Sequence, residues 1–286
     1  MINKGIILAG GSGTRLSPLT KAVNKQLLPI YDKPLIFYPL SILMLANIKN
    51  ILMIVNPNQI ENFKSLLGDG KRFGIKIQYK IQKKPRGLPD AFILGKNFIK
   101  KDNVALILGD NFFYGQSLTY KLEKSLLHSD GARIFLKKVK MPENFGVVKI
   151  VNNKIIKIVE KPKKFISNYA ITGLYFFDNK VINYAKQLKP SKRGEIEITD
   201  ILNIYRNSKD LHYEHIGRGA IWSDAGKIKD MTNISAFVQS VENVQSIKIA
   251  CLEEIALSKK WINKKIILNN ISFYGNCDYS NYLKKL

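Results

Sequence analysis

Ala9, Gly10, Gly11, Ser12 and Gly13 stand directly ahead of Thr14 and Arg15, with Lys25 a little further along. A turn without bulky side chains lets backbone N–H groups approach a ligand closely. Two fixed cations at the mouth of such a turn make phosphate its natural guest. A second chemical group is Asp110, in Leu108-Gly109-Asp110-Asn111. It follows the apolar run Val104–Leu108, and ligands of open α/β sheets bind beyond the carboxyl ends of the strands. A carboxylate there can hold a hard cation such as Mg²⁺ against phosphates; the same Asp could instead cap the following turn.

The spacing excludes two familiar phosphate loops. A Walker loop needs four residues between its first Gly and a Gly-Lys-Ser/Thr, and no segment supplies them. A dinucleotide fingerprint needs a third glycine where Leu16 stands. Cys251 and Cys277 are far apart without a pairing pattern, which argues against disulfides or zinc. His128, His212 and His215 form no ligand constellation, and no Ser/His or Cys/His signature points to a covalent nucleophile.

Composition narrows the partners. The 286 residues are 45% hydrophobic, as in a globular protein with a large core. The formal net charge is +24, carried by 46 basic residues that are mostly Lys. Such a balance fits a nucleic-acid surface or the drift of an AT-rich genome, which enriches Lys, Asn and Ile together. No nucleic-acid motif accompanies the charge, so drift is the favoured reading. No signal peptide is expected, since residues 1–9 run straight into the glycine turn. The apolar stretch 35–48 is too short for a membrane span and contains Pro39. A soluble cytoplasmic protein is expected.

The chemical groups must be positioned by alternating elements. Ile6, Ile7 and Leu8 read as a buried strand. Residues 34–46 read as a helix with Pro34 near its first turn. Strand 50–55, helix 59–67, strand 75–81, helix 90–98 and strand 104–108 follow. The last is continuously apolar, as a central parallel strand should be. Such alternation implies right-handed βαβ units in a layered sheet. From about residue 132 strands dominate, at 132–139, 145–151, 154–160 and 169–177. Helices return at 178–187 and 196–206, then strands at 211–216 and 219–223. Helices at 227–242 and 252–260 form a C-terminal cap.

The run Leu8-Ala-Gly-Gly-Ser-Gly-Thr-Arg-Leu16, with Lys25-Gln-Leu-Leu-Pro-Ile-Tyr-Asp-Lys-Pro34, closely resembles the sugar-1-phosphate nucleotidyltransferase family. Within it the chain looks most like the glucose-1-phosphate thymidylyltransferases, to about Leu283. The resemblance implies an α/β fold: a Rossmann-like layered mixed sheet of the nucleotidyltransferase (glycosyltransferase-A-like) type with a helical cap. It implies one domain over 1–286, divided into a nucleotide-binding core (1–130), a sugar-phosphate part (131–225) and a cap or oligomerisation region (226–286).

The implied reaction joins dTTP and glucose 1-phosphate to give dTDP-glucose and pyrophosphate, with Mg²⁺. Carried over residue by residue, Arg15 and Lys25 are catalytic. Leu8, Gly10, Gly11, Ser12, Gly13, Thr14, Gln26, Gln82, Gly87 and Asp110 face the nucleotide, with Gln82 and Gly87 at the base. Gly146, Glu160, Lys161, Ile171 and Arg193 face the sugar phosphate. Asp110 and Asp224 hold the metal, although Asp224 could alternatively cap a helix. Arg218 and Glu254 match an effector site seen in relatives. A homotetramer and a role in dTDP-sugar synthesis for surface polysaccharide are also implied. The chain departs from the pattern where Pro89-Asp90 replaces the usual Ala-Gln, and where Ser223 and Ala225 replace the usual Leu and Thr. The same fold acting on another triphosphate or sugar phosphate, or a catalytically weak basic binding protein, are the alternatives.

Overall fold

The computed structural model describes residues 2–11, 13–126 and 130–286; Ser12 and His128 lie outside the described residues. The first half contains β1 (Lys4–Ala9), β2 (Pro29–Ile30), β3 (Lys33–Pro34), α1 (Phe37–Leu45), β4 (Asn50–Val55) and α2 (Ile60–Leu67). It continues with β5 (Lys76–Ile81), α3 (Asp90–Leu94), α4 (Lys96–Ile99), β6 (Val104–Leu108), β7 (Phe112–Tyr114) and α5 (Leu118–Leu126). Then come β8 (Ala132–Lys138), β9 (Gly146–Val151), β10 (Lys154–Glu160), β11 (Tyr169–Phe177), α6 (Val181–Gln187) and α7 (Ile198–Asn207). The chain closes with β12 (Leu211–His215), β13 (Ile221–Ser223), α8 (Ile228–Gln245), α9 (Leu252–Ser258), α10 (Lys264–Tyr274) and α11 (Asp278–Leu283).

One mixed sheet of nine strands runs β10-β9-β11-β6-β1-β4-β5, with β8 joined to β11 and β12. Strands β6, β1, β4 and β5 are parallel, and β11 is antiparallel to β6. Past the polar first residues of β1 and β4, the strands β1, β4 and β6 are continuously apolar because both their faces are covered. Ile7, Met53 and Ile107 enter one core cluster, while Ile6, Leu52 and Leu106 enter another. Helix α1 is buried along nearly its whole length, packed between the sheet and α9. The cluster on that face runs from Ile2 to Leu283, so the C-terminal helices share the core of the first strands. Each fully buried Ile or Leu there contributes about 1.5–3 kcal/mol.

The structure departs from the sequence expectations in places. Pro34 lies in β3; the proline in the first turn of α1 is Pro39, whose missing N–H is among the donors a helix leaves unpaired anyway. The expected helix 90–98 is broken at Gly95. A Cβ there would stand 3.0 Å from Ile6 Cδ1 and 3.2 Å from Leu52 Cδ2, so the break falls where the helix presses on the sheet. Strand β7 and helices α5, α10 and α11 were not expected.

The hairpin of β2 and β3 is fastened to α8 by charge. Lys33 is almost fully buried, its Nζ 3.1 Å from Glu242 Oε1 and also bonded to Asp32. Glu242 in turn accepts from Ile249 N at 2.8 Å and pairs with Lys248 at 3.2 Å.

Candidate active site

Parallel register puts four segments in one row. Ala9 pairs with Val55, Val55 with Ile81, and Leu8 with Leu108. The residues just beyond, Gly10, Asn56, Gln82 and Gly109-Asp110, therefore emerge side by side at the carboxyl edge of the sheet. The glycine turn there is held by three side chains. Asn24 Nδ2 donates to Ala9 O at 3.4 Å, Asn56 Nδ2 to Gly11 O at 3.3 Å, and Thr20 Oγ1 to Gly13 O at 2.8 Å. Gly13, at φ 62, turns the backbone into the 3₁₀ segment Thr14–Leu16 that carries exposed Arg15.

Pairing of β7 with β13, with Ser223 opposite Phe112, brings Asp224 beside Asp110 across most of the chain. Lys25 Nζ bonds Asp110 Oδ2 at 2.6 Å and Asp224 O at 3.3 Å. Burial and then the Asp110 charge push the Asp224 carboxyl above the usual carboxylate range, against the pull of Lys25. Two acids whose mutual repulsion one ammonium does not cancel fit a divalent cation. Among the described residues no cluster of three or more His, Cys, Asp or Glu could hold a metal. Phosphate oxygens and waters would have to complete the shell. Asp224 is not a helix cap: α8 is capped by Lys227, and Asp224 Oδ1 accepts from Gly226 N at 3.2 Å.

Sequence reasoning missed Asn111. Its Nδ2 donates to Asp110 Oδ1 at 2.9 Å, while its Oδ1 accepts from Gly173 N at 3.1 Å and Trp222 Nε1 at 2.6 Å. This buried amide sets the rotamer of Asp110 and ties it to β11 and β13. Only its place next to Asp110 could have drawn attention to it.

A cavity of about 630 Å³ opens beside the acids. It is lined by Arg15, Asp110, Gly146, Glu160, Lys161, Ile171, Arg193 and Asp224 among others. Register explains the convergence: Glu160 pairs with Gly146, and Val147 with Ala170 next to Ile171. Phe145 and Trp222 meet with ring centroids 5.0 Å apart in its wall. Glu160 is pushed above the ordinary carboxylate range, first by burial and then by the Glu197 charge, while Lys161 and Arg193 oppose the shift. Arg193 Nη1 lies 3.3 Å from Glu197 and 3.6 Å from Glu160, so its charge is shared between these acids. Lys161 is exposed at φ 41, a left-handed conformation costly for a non-glycine residue.

The other described residues expected at the site lie outside the cavity lining. Gln26 and Gln82 are buried, and Gln26 Oε1 has no hydrogen-bond partner among the described residues. Gly87 has φ 105 and abuts Ile196; a Cβ would stand 2.1 Å from the Ile196 carbonyl oxygen, so only glycine fits. Arg218 is exposed on a turn, and Glu254 accepts from Tyr282 Oη at 2.7 Å.

Residues 4–241 match the sequence model of the nucleotidyl transferase family. The chain is 50% identical over 284 residues to a glucose-1-phosphate thymidylyltransferase of Neisseria meningitidis serogroup A, covering 99% of both chains. It superposes with TM-score 0.76 and 42% identity on a crystal structure of a glucose-1-phosphate thymidylyltransferase candidate from Bacillus anthracis, covering 82% of this chain and 94% of that one. A UDP-glucose pyrophosphorylase bound to UDP-glucose is similar at 25% identity and TM-score 0.73, covering 84% of this chain and 99% of that one.

Proposed function

The chain belongs to the nucleotidyl transferase family, among the glucose-1-phosphate thymidylyltransferases, and from that premise we propose how its residues divide the work. It is an enzyme that makes dTDP-glucose and pyrophosphate from dTTP and glucose 1-phosphate. A phosphate-monoester oxygen attacks the α-phosphorus of dTTP. The new O–P bond forms as the bond to the β-phosphate bridging oxygen breaks, and pyrophosphate leaves with that electron pair. The nucleophile needs no general base, because a phosphate monoester has its second pKa at about 6.

Positioning and charge neutralisation supply the catalysis. Arg15, at the cavity mouth, meets charge growing on the transferring and leaving phosphates. Asp110 and Asp224 would hold a Mg²⁺ ion, which when bound offsets phosphate charge. Lys25, now paired with Asp110, assists there. Lys161 anchors the sugar phosphate, Glu160 binds sugar hydroxyls, and Gly146 and Ile171 meet the ring through the backbone. Arg193 orients Glu160 and reaches phosphate. Leu8, the glycine turn from Gly10 to Gly13, Thr14, Gln26, Gln82 and Gly87 take the nucleotide. The orphan Gln26 Oε1 supports a bound donor there, since buried acceptors are seldom left unpaired.

The carrying observation is the convergence of Asp110, Asp224, Glu160 and Lys161 on one cavity. Pyrophosphate release from dTTP should require both glucose 1-phosphate and Mg²⁺. Release without the sugar phosphate, or none at all, would refute the assignment.

The chain acts as a single unit over 1–286, assembles as a homotetramer in the cytoplasm and feeds dTDP-sugar synthesis. Arg218 and Glu254 belong to an effector site. Its partners are small phosphates, not nucleic acid or membrane; no helix among the described residues is long and apolar enough to cross a membrane.

A further inference from the structure

Gln82 and Asp90 form a buried pair. Each is 5% exposed, and Gln82 Nε2 donates to Asp90 Oδ2 at 2.8 Å. A side-chain amide can turn over and exchange its donor and acceptor ends, so by itself it reads a base edge ambiguously. A carboxylate removes that freedom, because it accepts only. With Asp90 as neighbour, the NH₂ group must face Asp90 and Oε1 must face away. The structure aims Oε1 at the glycine turn: a Cβ on Gly10 would stand 2.7 Å from it. Gly10 thus leaves room for an oxygen of fixed polarity at the edge of the nucleotide-binding row. The frame around the pair is also set. Gln82 N donates to Val55 O at 2.9 Å, and Asp90 opens α3, where negative charge suits the helix dipole.

We infer that Asp90 is a positioning residue for base choice: it locks the Gln82 amide so that an acceptor, Oε1, meets the base. This rests on the reading that Gln82 faces the base. An acceptor there pairs with the N3–H of an imide pyrimidine such as thymine or uracil. It opposes the N3 lone pair of cytosine. An amide at position 90 could turn over together with Gln82; the Asp90 carboxylate permits one orientation.

The test is the ratio of kcat/KM for dTTP to that for dCTP, read as competitive inhibition wherever turnover is too slow. Asp90→Asn is nearly isosteric but offers Gln82 either a donor or an acceptor. It should lower the ratio about tenfold or more, since an unpaired or opposed polar group is what rejects the wrong ligand. The KM for glucose 1-phosphate should stay unchanged, which a general loss of structure would not allow. Asp90→Ser, smaller and equally ambivalent, should behave alike and serves if the first variant folds poorly. Gln82→Ala separates the two layers of the reading. If it collapses the ratio while both Asp90 variants keep it, the lock is overturned and base reading by Gln82 stands. If it leaves the ratio intact, base reading by Gln82 is overturned and the lock with it.

Discussion

Lys25 Nζ touches both acidic segments of the site, 2.6 Å from Asp110 Oδ2 and 3.3 Å from the Asp224 carbonyl oxygen. The Lys25 side chain is 6% exposed and the Asp110 side chain 25%. The site therefore carries a built-in counter-ion, and a bound cation would share Asp110 with it.

Lys25→Met should accordingly destabilise the metal-free protein. Orphaning one partner of a fully buried pair costs about 3–5 kcal/mol, and the exposure of Asp110 makes the loss smaller here. Mg²⁺ should restore part of the melting temperature in this variant and raise that of the unsubstituted protein less. Equal Mg²⁺ responses in calorimetry would remove Lys25 from this role.

Arg15→Ala should lower kcat far more than it raises the KM for dTTP. Losing a donor aimed at developing charge costs about 2.7–4 kcal/mol in comparable sites, a hundredfold or more in rate. Steady-state kinetics with an effect confined to KM would reduce Arg15 to a ground-state binder.

Asp224→Asn keeps the shape of the side chain and its acceptor for Gly226 N, but deletes one of two charges offered to a cation. Turnover should largely vanish and the Mg²⁺ concentration for half-activity should rise. Melting temperature without metal should hold or increase, because a buried charge facing Asp110 is gone. Normal Mg²⁺ dependence would leave Asp110 as the sole protein ligand.

Glu160 gives a pH signature with a definite sign. Its carboxyl titrates above the ordinary range because of burial and the Glu197 charge, with Glu195 adding to the shift and Lys161 and Arg193 opposing it. The native state then keeps a proton that the unfolded chain has lost, so Glu160 lowers stability as pH rises from the ordinary carboxylate range through the raised one. Glu160→Gln should become progressively more stable relative to the unsubstituted protein across that interval, then level off. Parallel melting curves from acid to neutral pH would contradict it.

Much of the fold is legible in the sequence. Continuous apolar runs marked the central strands because both sheet faces are covered, and the glycines before Arg15 marked a turn at the carboxyl edge of the sheet. The acids needed more than local pattern. Asp224 was reached only through resemblance, since it meets Asp110 by the β7–β13 pairing, and three-residue strands have no periodicity to read. Its altered flank has a local reason: Ala225 is fully buried at φ 41, where a β-branched Thr would be strained. Asn111 was invisible because its partners arrive from β11 and β13. Asp90 reads in the sequence as a mere departure, because its contact with Gln82 is made only in the fold.

The clasp between the hairpin and α8 bears on where this polypeptide can be cut. The family match ends at residue 241, one position before Glu242. A shortened gene ending there would still satisfy the family model, although the full-length relatives align well beyond it. Yet it would strip the acid on α8 from Lys33, whose side chain is 2% exposed, leaving Asp32 to hold that cation. The hairpin so loosened follows directly on Lys25 and Gln26. Expression fragments should therefore run past Ile249, whose backbone N–H completes the clasp, and on through Leu283, because the C-terminal helices share the core of the first strands.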